Sequence, residues 1–186
     1  MARVILVRHC ESESNRVAGL DRKKNSPLSA RGRAQTEAVR AAFVASGLTG
    51  AVLLSSPLAR AADTAAAIRD ALDVTVEHDA RLGAGETWAG QRFDLDDPAT
   101  LLVVGATVAD ALAERIDAGA ETLIAVSHRY PIWALLVRLY GDRGTDIMDE
   151  VHDLANGDQL ELTIVAGAAQ GEPTHRPLES LSADRG

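Results

Sequence analysis

The chain has 186 residues, 46% of them hydrophobic, and its 19 basic and 27 acidic side chains leave a formal net charge of −8. That length suits one hydrophobic core rather than two, and the acidic balance excludes the clustered Lys and Arg with which a protein wraps nucleic acid. The only cysteine, Cys10, rules out an intrachain disulfide and makes a reducing cytoplasm the simplest setting.

Taken from the N-terminus, Arg3 leads at once into an apolar run at 4–7, too short for the hydrophobic region of a signal peptide. No stretch approaches the roughly 20 apolar residues of a membrane span, since the 101–112 region is broken by Gly105, Thr107 and Asp110. The expectation is a soluble cytoplasmic protein without a membrane partner. Further runs rich in Val, Ile and Leu follow at 51–54, 74–76, 122–126 and 160–165, and they predict strands. The 4–7 and 122–126 runs read as central strands covered on both faces, whereas Leu160-Glu161-Leu162-Thr163-Ile164 alternates like an edge strand.

Helices are predicted at 30–46, 58–72, 98–118 and 131–140. Ser29 can cap the first, and Leu58, Ala61 and Ala65 give the second an apolar stripe. Asp97 and Pro98 suit the start of the third, and Pro131 the start of the fourth. The polar segment 83–97, with Gly83, Gly85 and Gly90, reads as a loop over the sheet. Strands alternating with helices imply an α/β fold, a three-layer α/β/α sandwich with a mostly parallel central sheet. One domain is expected over 1–166, followed by a flexible tail at 167–186, where Gly, Glu, Pro, Ser and Arg dominate.

Three polar clusters stand directly after three of the runs: Arg8-His9-Cys10-Glu11-Ser12, Ser55-Ser56-Pro57-Leu58-Ala59-Arg60 and Ser127-His128-Arg129. In an open parallel sheet the crevice outside the carboxyl ends of the strands collects such residues from distant parts of the chain. Arginines and histidines converging there form a dianion pocket, because guanidinium forks match phosphate oxygens.

In this order, strand-RHxES, strand-SSPLxRAxxTA and strand-SH resemble the pattern of the histidine phosphatase superfamily, the group that includes the phosphoglycerate mutases. The resemblance spans most of residues 3–165. Leu28-Ser29-Ala30-Arg31-Gly32-Arg33-Ala34-Gln35 is similar to that family's L-[ST]-x-x-G-x-x-Q element, and Asn15 falls where the family often has asparagine. The resemblance implies a phosphoglycerate mutase-like fold and a metal-independent phosphatase without a cofactor. His9 would carry the phosphoryl group in the intermediate, Arg8 and Arg60 would bind its oxygens, His128 would stabilise it in flight, and Asn15 would be a further contact.

Elementary chemistry asks the same of these residues. Phosphoryl transfer needs positioning and charge neutralisation, which fixed cations around a nucleophile supply. His9 must attack as a neutral imidazole; nearby arginines disfavour its charged form, and a backbone carbonyl taking the other ring hydrogen would fix the tautomer. His128, facing a phosphate dianion, is expected to be protonated.

The leaving alcohol needs a proton. The family places a glutamate several residues before a Trp-x-Gly element; Trp88-Ala89-Gly90 resembles that element, but the spacing leads to Leu82 and Gly83. Glu86 is therefore the nominated general acid, with Asp79 and Asp94 as alternatives. Cys10 and Arg129 stand where the family commonly has glycine; Cys10 reads as a small buried hydrophobe, and Arg129 either as a cation that would meet a second anionic group on the substrate or, equally, as a solvent-facing or structural arginine. Trp133 reads as core. His78, His152 and His175 lie in separate segments without zinc-site spacing, and no glycine-rich nucleotide loop is present.

The expected function is hydrolysis of a small-molecule phosphate ester through a phosphohistidine. A phosphoglycerate-mutase-type phosphotransferase is the alternative within the same chemistry, and a non-catalytic phosphate-ligand sensor the alternative outside it. A protein phosphatase acting on phosphopeptides would need an open groove, and neither oligomeric state nor the identity of the ester is written in the sequence.

Overall fold

The computed structural model describes residues 1–16, 25–84, 97–151 and 154–183. In chain order it runs β1 (Ala2–Arg8), α1 (Glu13–Arg16), α2 (Ala30–Ser46), β2 (Val52–Ser55), α3 (Ala59–Leu72) and β3 (Val76–His78). A 3₁₀ turn at Ala80–Gly83 follows. Then come α4 (Pro98–Asp117), β4 (Thr122–Ser127), α5 (Arg129–Tyr140), α6 (Arg143–Glu150), β5 (Gln159–Val165), β6 (Ala168–Arg176) and α7 (Leu178–Ala183).

The strands form one six-stranded sheet in the order β3-β2-β4-β1-β5-β6. β3, β2, β4 and β1 are parallel neighbours, and β5 runs antiparallel to both β1 and β6. Successive residues of each strand point to opposite faces, which divides the apolar runs between two cores. Val4, Leu6, Leu123 and Ala125 join α4, α5 and α6 through Val104, Val108, Leu135, Leu136 and Met148. Ile5, Val7, Ile124 and Val126 join α2, α3 and α7 through Val39, Phe43, Ala65, Ile68 and Leu178. The result is the predicted α/β/α sandwich.

Helix starts follow their local chemistry. Ser29 Oγ accepts from the Gly32 amide at 2.9 Å, and the Asp97 carboxylate accepts from Ala99 and Thr100. α3 begins after Leu58, which has no capping group; Asn25 Oδ1 takes the Ala59 amide at 2.6 Å instead. α5 starts at Arg129, two residues ahead of prediction, with Pro131 tolerated inside its first turn. No described helix is long and apolar enough to cross a membrane.

Three expectations are corrected. The third strand is Val76–His78 rather than 74–76, because Val74 is apolar for packing against the α2/α3 core and not for sheet pairing. β5 is not an edge strand. Its alternation records one covered face, Leu160, Leu162 and Ile164, while Glu161 on the other face pairs with Arg3 at 2.7 Å and Arg176 at 3.1 Å. Finally, the segment expected as a flexible tail forms β6, the true edge, and α7. β6 lacks a hydrophobic signal because its face is largely exposed; hydrogen bonding to β5 and the buried Leu178 that follows hold it in place.

Candidate active site

The parallel register brings the three polar clusters level. Arg8 pairs with Ser127 and Ser55 with Val126, and the ladder extends one residue further through His9 N to Ser127 O and Ser56 N to Val126 O, each 3.0 Å. His9, Ser56 and His128 therefore leave the sheet together at the carboxyl ends of β1, β2 and β4, at the start of the crevice where α/β proteins bind ligands.

His9 is buried, and its hydrogen bonds define the ring. Nδ1 lies 2.6 Å from the Cys10 carbonyl, and Nε2 lies 3.3 Å from Arg60 Nε. Assigned from this network, Nδ1 carries the hydrogen and donates it to Cys10, while Nε2 keeps its lone pair and accepts from the guanidinium. Burial above all pushes the His9 pKa down to about 3, against the opposing pull of the Cys10 carbonyl and with the help of Arg60 and Arg8. The arginines, expected to be the cause, contribute less than removal from water.

His128 faces His9 with ring centroids 5.0 Å apart and planes at 59°. Its Nε2 lies 2.9 Å from Ser56 Oγ, and its Nδ1 is buried without a hydrogen-bond partner among the described residues. Burial, followed by His9, Arg60 and Arg8, holds its pKa well below the ordinary histidine value. The protein's own surroundings thus favour a neutral His128, and the protonated ring expected beside a phosphate dianion depends on that dianion for the opposite charge.

Arg60, 2% exposed in the first turn of α3, is the guanidinium in contact with His9. Its carbonyl accepts from Thr64 Oγ1, which in turn accepts from the Cys10 amide at 3.0 Å. The threonine of the SSPLxRAxxTA pattern therefore ties α3 to the histidine loop. Arg8 donates from Nη1 to the Leu154 carbonyl at 2.6 Å. Cys10 packs in the α2/α3 core with its thiol pushed up to about 12 by burial, which makes it a packing residue rather than a second nucleophile.

The remaining candidates separate. Asn15 is exposed in α1, and its Oδ1 accepts from the Ser12 amide and hydroxyl at 2.9 and 2.8 Å, so that oxygen organises the loop. Arg129 is an exposed side chain immediately after His128. Asp79 is corrected as a general-acid candidate: Arg81 bonds both its oxygens, chiefly lowering its pKa, and Arg115 adds to this, so it stays an anion. Glu86, Asp94, Trp88 and His152 lie outside the described residues. Trp133 packs against the α4/α5 core and meets Tyr130 edge-on at 5.7 Å. Among the described residues no group of three or more His, Cys, Asp and Glu is placed to hold a metal ion.

Glu11 serves the scaffold. Its amide donates to Gln35 Oε1 at 2.8 Å, its side chain accepts from Ser29 Oγ at 2.6 Å, and a Cβ added at Gly32 would sit 1.9 Å from its carbonyl oxygen. The L-[ST]-x-x-G-x-x-Q element is thus the seat of the histidine loop on α2. Gly32→Ala is expected to force that loop off the helix at a cost of about 1–3 kcal/mol, which thermal unfolding would register as a Tm several degrees lower. An unchanged Tm would show that the contact relaxes freely.

The two buried histidines also set a pH dependence. Their folded pKa values lie below the unfolded value near 6.5, so between those limits the unfolded chain binds more protons. Stability is then complete above about pH 6.5 and is lost as pH falls toward the folded value, at up to about 1.4 kcal/mol per pH unit for each histidine. Urea unfolding at pH 7 and pH 5 should show the lower midpoint at pH 5, and the difference should shrink in His128→Gln.

Comparison with known proteins agrees with this geometry. Residues 4–95 match the family model of the histidine phosphatase superfamily, branch 1. Over that stretch the chain resembles the histidine phosphatase superfamily. A mycobacterial glucosyl-3-phosphoglycerate phosphatase in complex with VO3 has the same fold, with TM-score 0.71 and 19% identity, over 94% of this chain and 97% of that one. So has a phosphoserine phosphatase mutant from Entamoeba histolytica in complex with phosphoserine, with TM-score 0.65 and 22% identity over 94% and 95%. The protein histidine phosphatase SixA, complexed with tungstate, gives 0.66 and 16% over 93% and 96%. No curated protein sequence matches with significance.

The superfamily match ends well before His128, so it is the fold that carries this second histidine to the first. Two features of this site escaped the sequence. Ser56, legible only as part of a motif, is the hydroxyl on His128. The segment 154–158, without any distinctive composition, supplies the Leu154 carbonyl to Arg8 and the Asn156 side chain to the His9 carbonyl. Neither contact has a local sequence signal, because each joins residues far apart in the chain.

Proposed function

We propose that this protein is a metal-independent phosphatase that hydrolyses a small-molecule phosphate monoester through a phosphohistidine on His9. The observation that carries the reading is the fixed His9 ring, with its Nδ1 hydrogen on the Cys10 carbonyl and its Nε2 lone pair beside the Arg60 guanidinium. A buried imidazole that stays neutral down to about pH 3 is available as a nucleophile throughout the physiological range.

In the proposed reaction Nε2 attacks phosphorus while the ester oxygen departs with its bonding pair. Arg8 and Arg60 neutralise the equatorial oxygens, and His128, taking up a proton from solvent as the dianion binds, donates to them from Nδ1, which has no hydrogen-bond partner among the described residues. Glu86 gives the leaving oxygen its proton, and its carboxylate then takes a proton from the water that attacks the phosphohistidine. Phosphate leaves, and Nε2 regains its lone pair. Fixed cations perform the neutralisation that other phosphoryl-transfer enzymes assign to a metal. Asn15 is proposed as a further substrate contact, and Arg129 as the partner of a second anionic group. Hydrolysis of small esters accords with similarity in fold to phosphatases named for glucosyl-3-phosphoglycerate and phosphoserine.

The test is phosphate release from a chemically varied panel of phosphate monoesters in the presence of a chelator. Release that survives chelation supports the proposal and ranks the leaving groups. Release that requires an added divalent cation contradicts the metal-independent reading.

A further inference from the structure

Residues 154–158, ahead of β5, are joined to Arg8 and His9 of the candidate site by several hydrogen bonds. Leu154 adopts φ 52°, a left-handed conformation that costs a non-glycine residue on the order of 1 kcal/mol or more. Its carbonyl is the acceptor for Arg8 Nη1 at 2.6 Å. Asn156 Nδ2 donates to the His9 carbonyl at 2.8 Å, and Gly157 N donates to the Arg8 carbonyl at 3.0 Å. Arg8 N in turn donates to the Asp158 carbonyl at 3.1 Å. The backbone of Arg8 and His9, and the Arg8 guanidinium, are thereby held by one loop.

That loop is itself anchored on two sides. Gln35 Nε2 donates to the Asn156 carbonyl at 3.2 Å, while its Oε1 receives the Glu11 amide, so a single α2 side chain braces both the loop and the histidine motif. On the other side the buried Asp158 carboxylate accepts from the Ala155 and Leu178 amides at 3.2 and 2.8 Å and pairs with His175 Nε2 at 2.8 Å. Gly157, at φ 88°, lies where a Cβ would meet Leu178 Cδ2 at 2.6 Å. The β6–α7 segment is in this way fastened to the loop that grips Arg8 and His9.

We propose that the 154–158 loop, clamped by Asp158 to the C-terminal segment, is a positioning device for the phosphoryl-transfer residues, and that Asn156 is the side chain through which it sets His9. The inference rests on the assignment of His9 as nucleophile, and it deepens that assignment. An in-line attack tolerates little displacement, and a misplacement of about 1 Å is worth on the order of 10²-fold in rate. The Asn156 side-chain amide bonds the His9 main chain and not its ring, so it positions without taking part in the chemistry.

The experiment compares the native protein with Asn156→Ala and the equal-sized Asn156→Asp, which replaces the amide donor with an oxygen. Steady-state kinetics on the best ester of the panel and nitrogen NMR of the His9 imidazole are read together with thermal unfolding. The expected result is a kcat about 10- to 100-fold lower with KM unchanged, and a shifted His9 ring signal in a protein that still melts cooperatively. If Asn156→Ala does not fold, Asn156→Asp decides. Native kcat together with an unmoved His9 signal in a folded variant would overturn the proposal. Should the native protein turn over no ester, the phosphatase reading fails separately, and the His9 signal still decides whether Asn156 sets the ring: displaced in the variants it supports the positioning claim, unmoved it refutes it.

Discussion

His9→Ala is expected to abolish phosphate release, with kcat lower by on the order of 10⁴-fold or more, as when the nucleophile of a covalent mechanism is removed. The size follows from the wiring of the ring. Its two nitrogens have separate tasks, one bonded to Cys10 and the other presented beside Arg60, and no neighbour can assume the second task. Cys10 is buried with its thiol held neutral, and His128 has its Nε2 engaged by Ser56. The alanine variant should nevertheless fold, because the cores on both faces of the sheet are intact, and the deletion removes a buried group that resists protonation. Steady-state phosphate release beside a thermal melt distinguishes loss of chemistry from loss of structure; residual turnover above a hundredth of native would contradict the assignment of nucleophile.

Arg60→Lys carries the second large effect, with kcat expected about 10²–10³-fold lower even though the charge is retained. Lysine is a point charge on a flexible stem and lacks both the fork that matches two phosphate oxygens and the Nε donor that meets His9. The site at 2% exposure leaves little room for rearrangement. Measured kcat/KM in Arg60→Lys and Arg60→Ala should therefore fall by similar factors. If lysine restored most of the native rate, charge alone would be sufficient, and the geometric role of the guanidinium would be lost.

Much of this arrangement was legible before any coordinates. The runs at 4–7 and 122–126 are nearly continuous in apolar residues because both faces of β1 and β4 are covered, and that same burial places Arg8-His9 and Ser127-His128 at one sheet edge. Helix starts at Ser29 and Asp97 were readable because capping is local chemistry. What could not be read is what depends on pairing across long separations. β6 has an exposed, polar face, so its strand character lies in its ladder with β5 and not in its composition. Asp158, Asn156 and Leu154 look ordinary in sequence, yet their partners are Leu178, His9 and Arg8. The charge state of His128 without a bound dianion could not be read for a related reason: sequence shows which ions are near in a motif but not how completely a ring is removed from water, and burial is the larger influence. Asp79 looked like a free loop acid until Arg81 and Arg115 were seen to hold it as an anion.

The most direct measurement of the central claim is to quench the native protein during turnover of a hydrolysed ester and locate the phosphoryl group by peptide mass spectrometry under conditions that preserve phosphoramidates. A phosphoryl group on His9, absent from His9→Ala, is the predicted result. Turnover with the label on another residue, or with none on the protein at any quench time and unchanged in His9→Ala, would contradict phosphohistidine chemistry at this site.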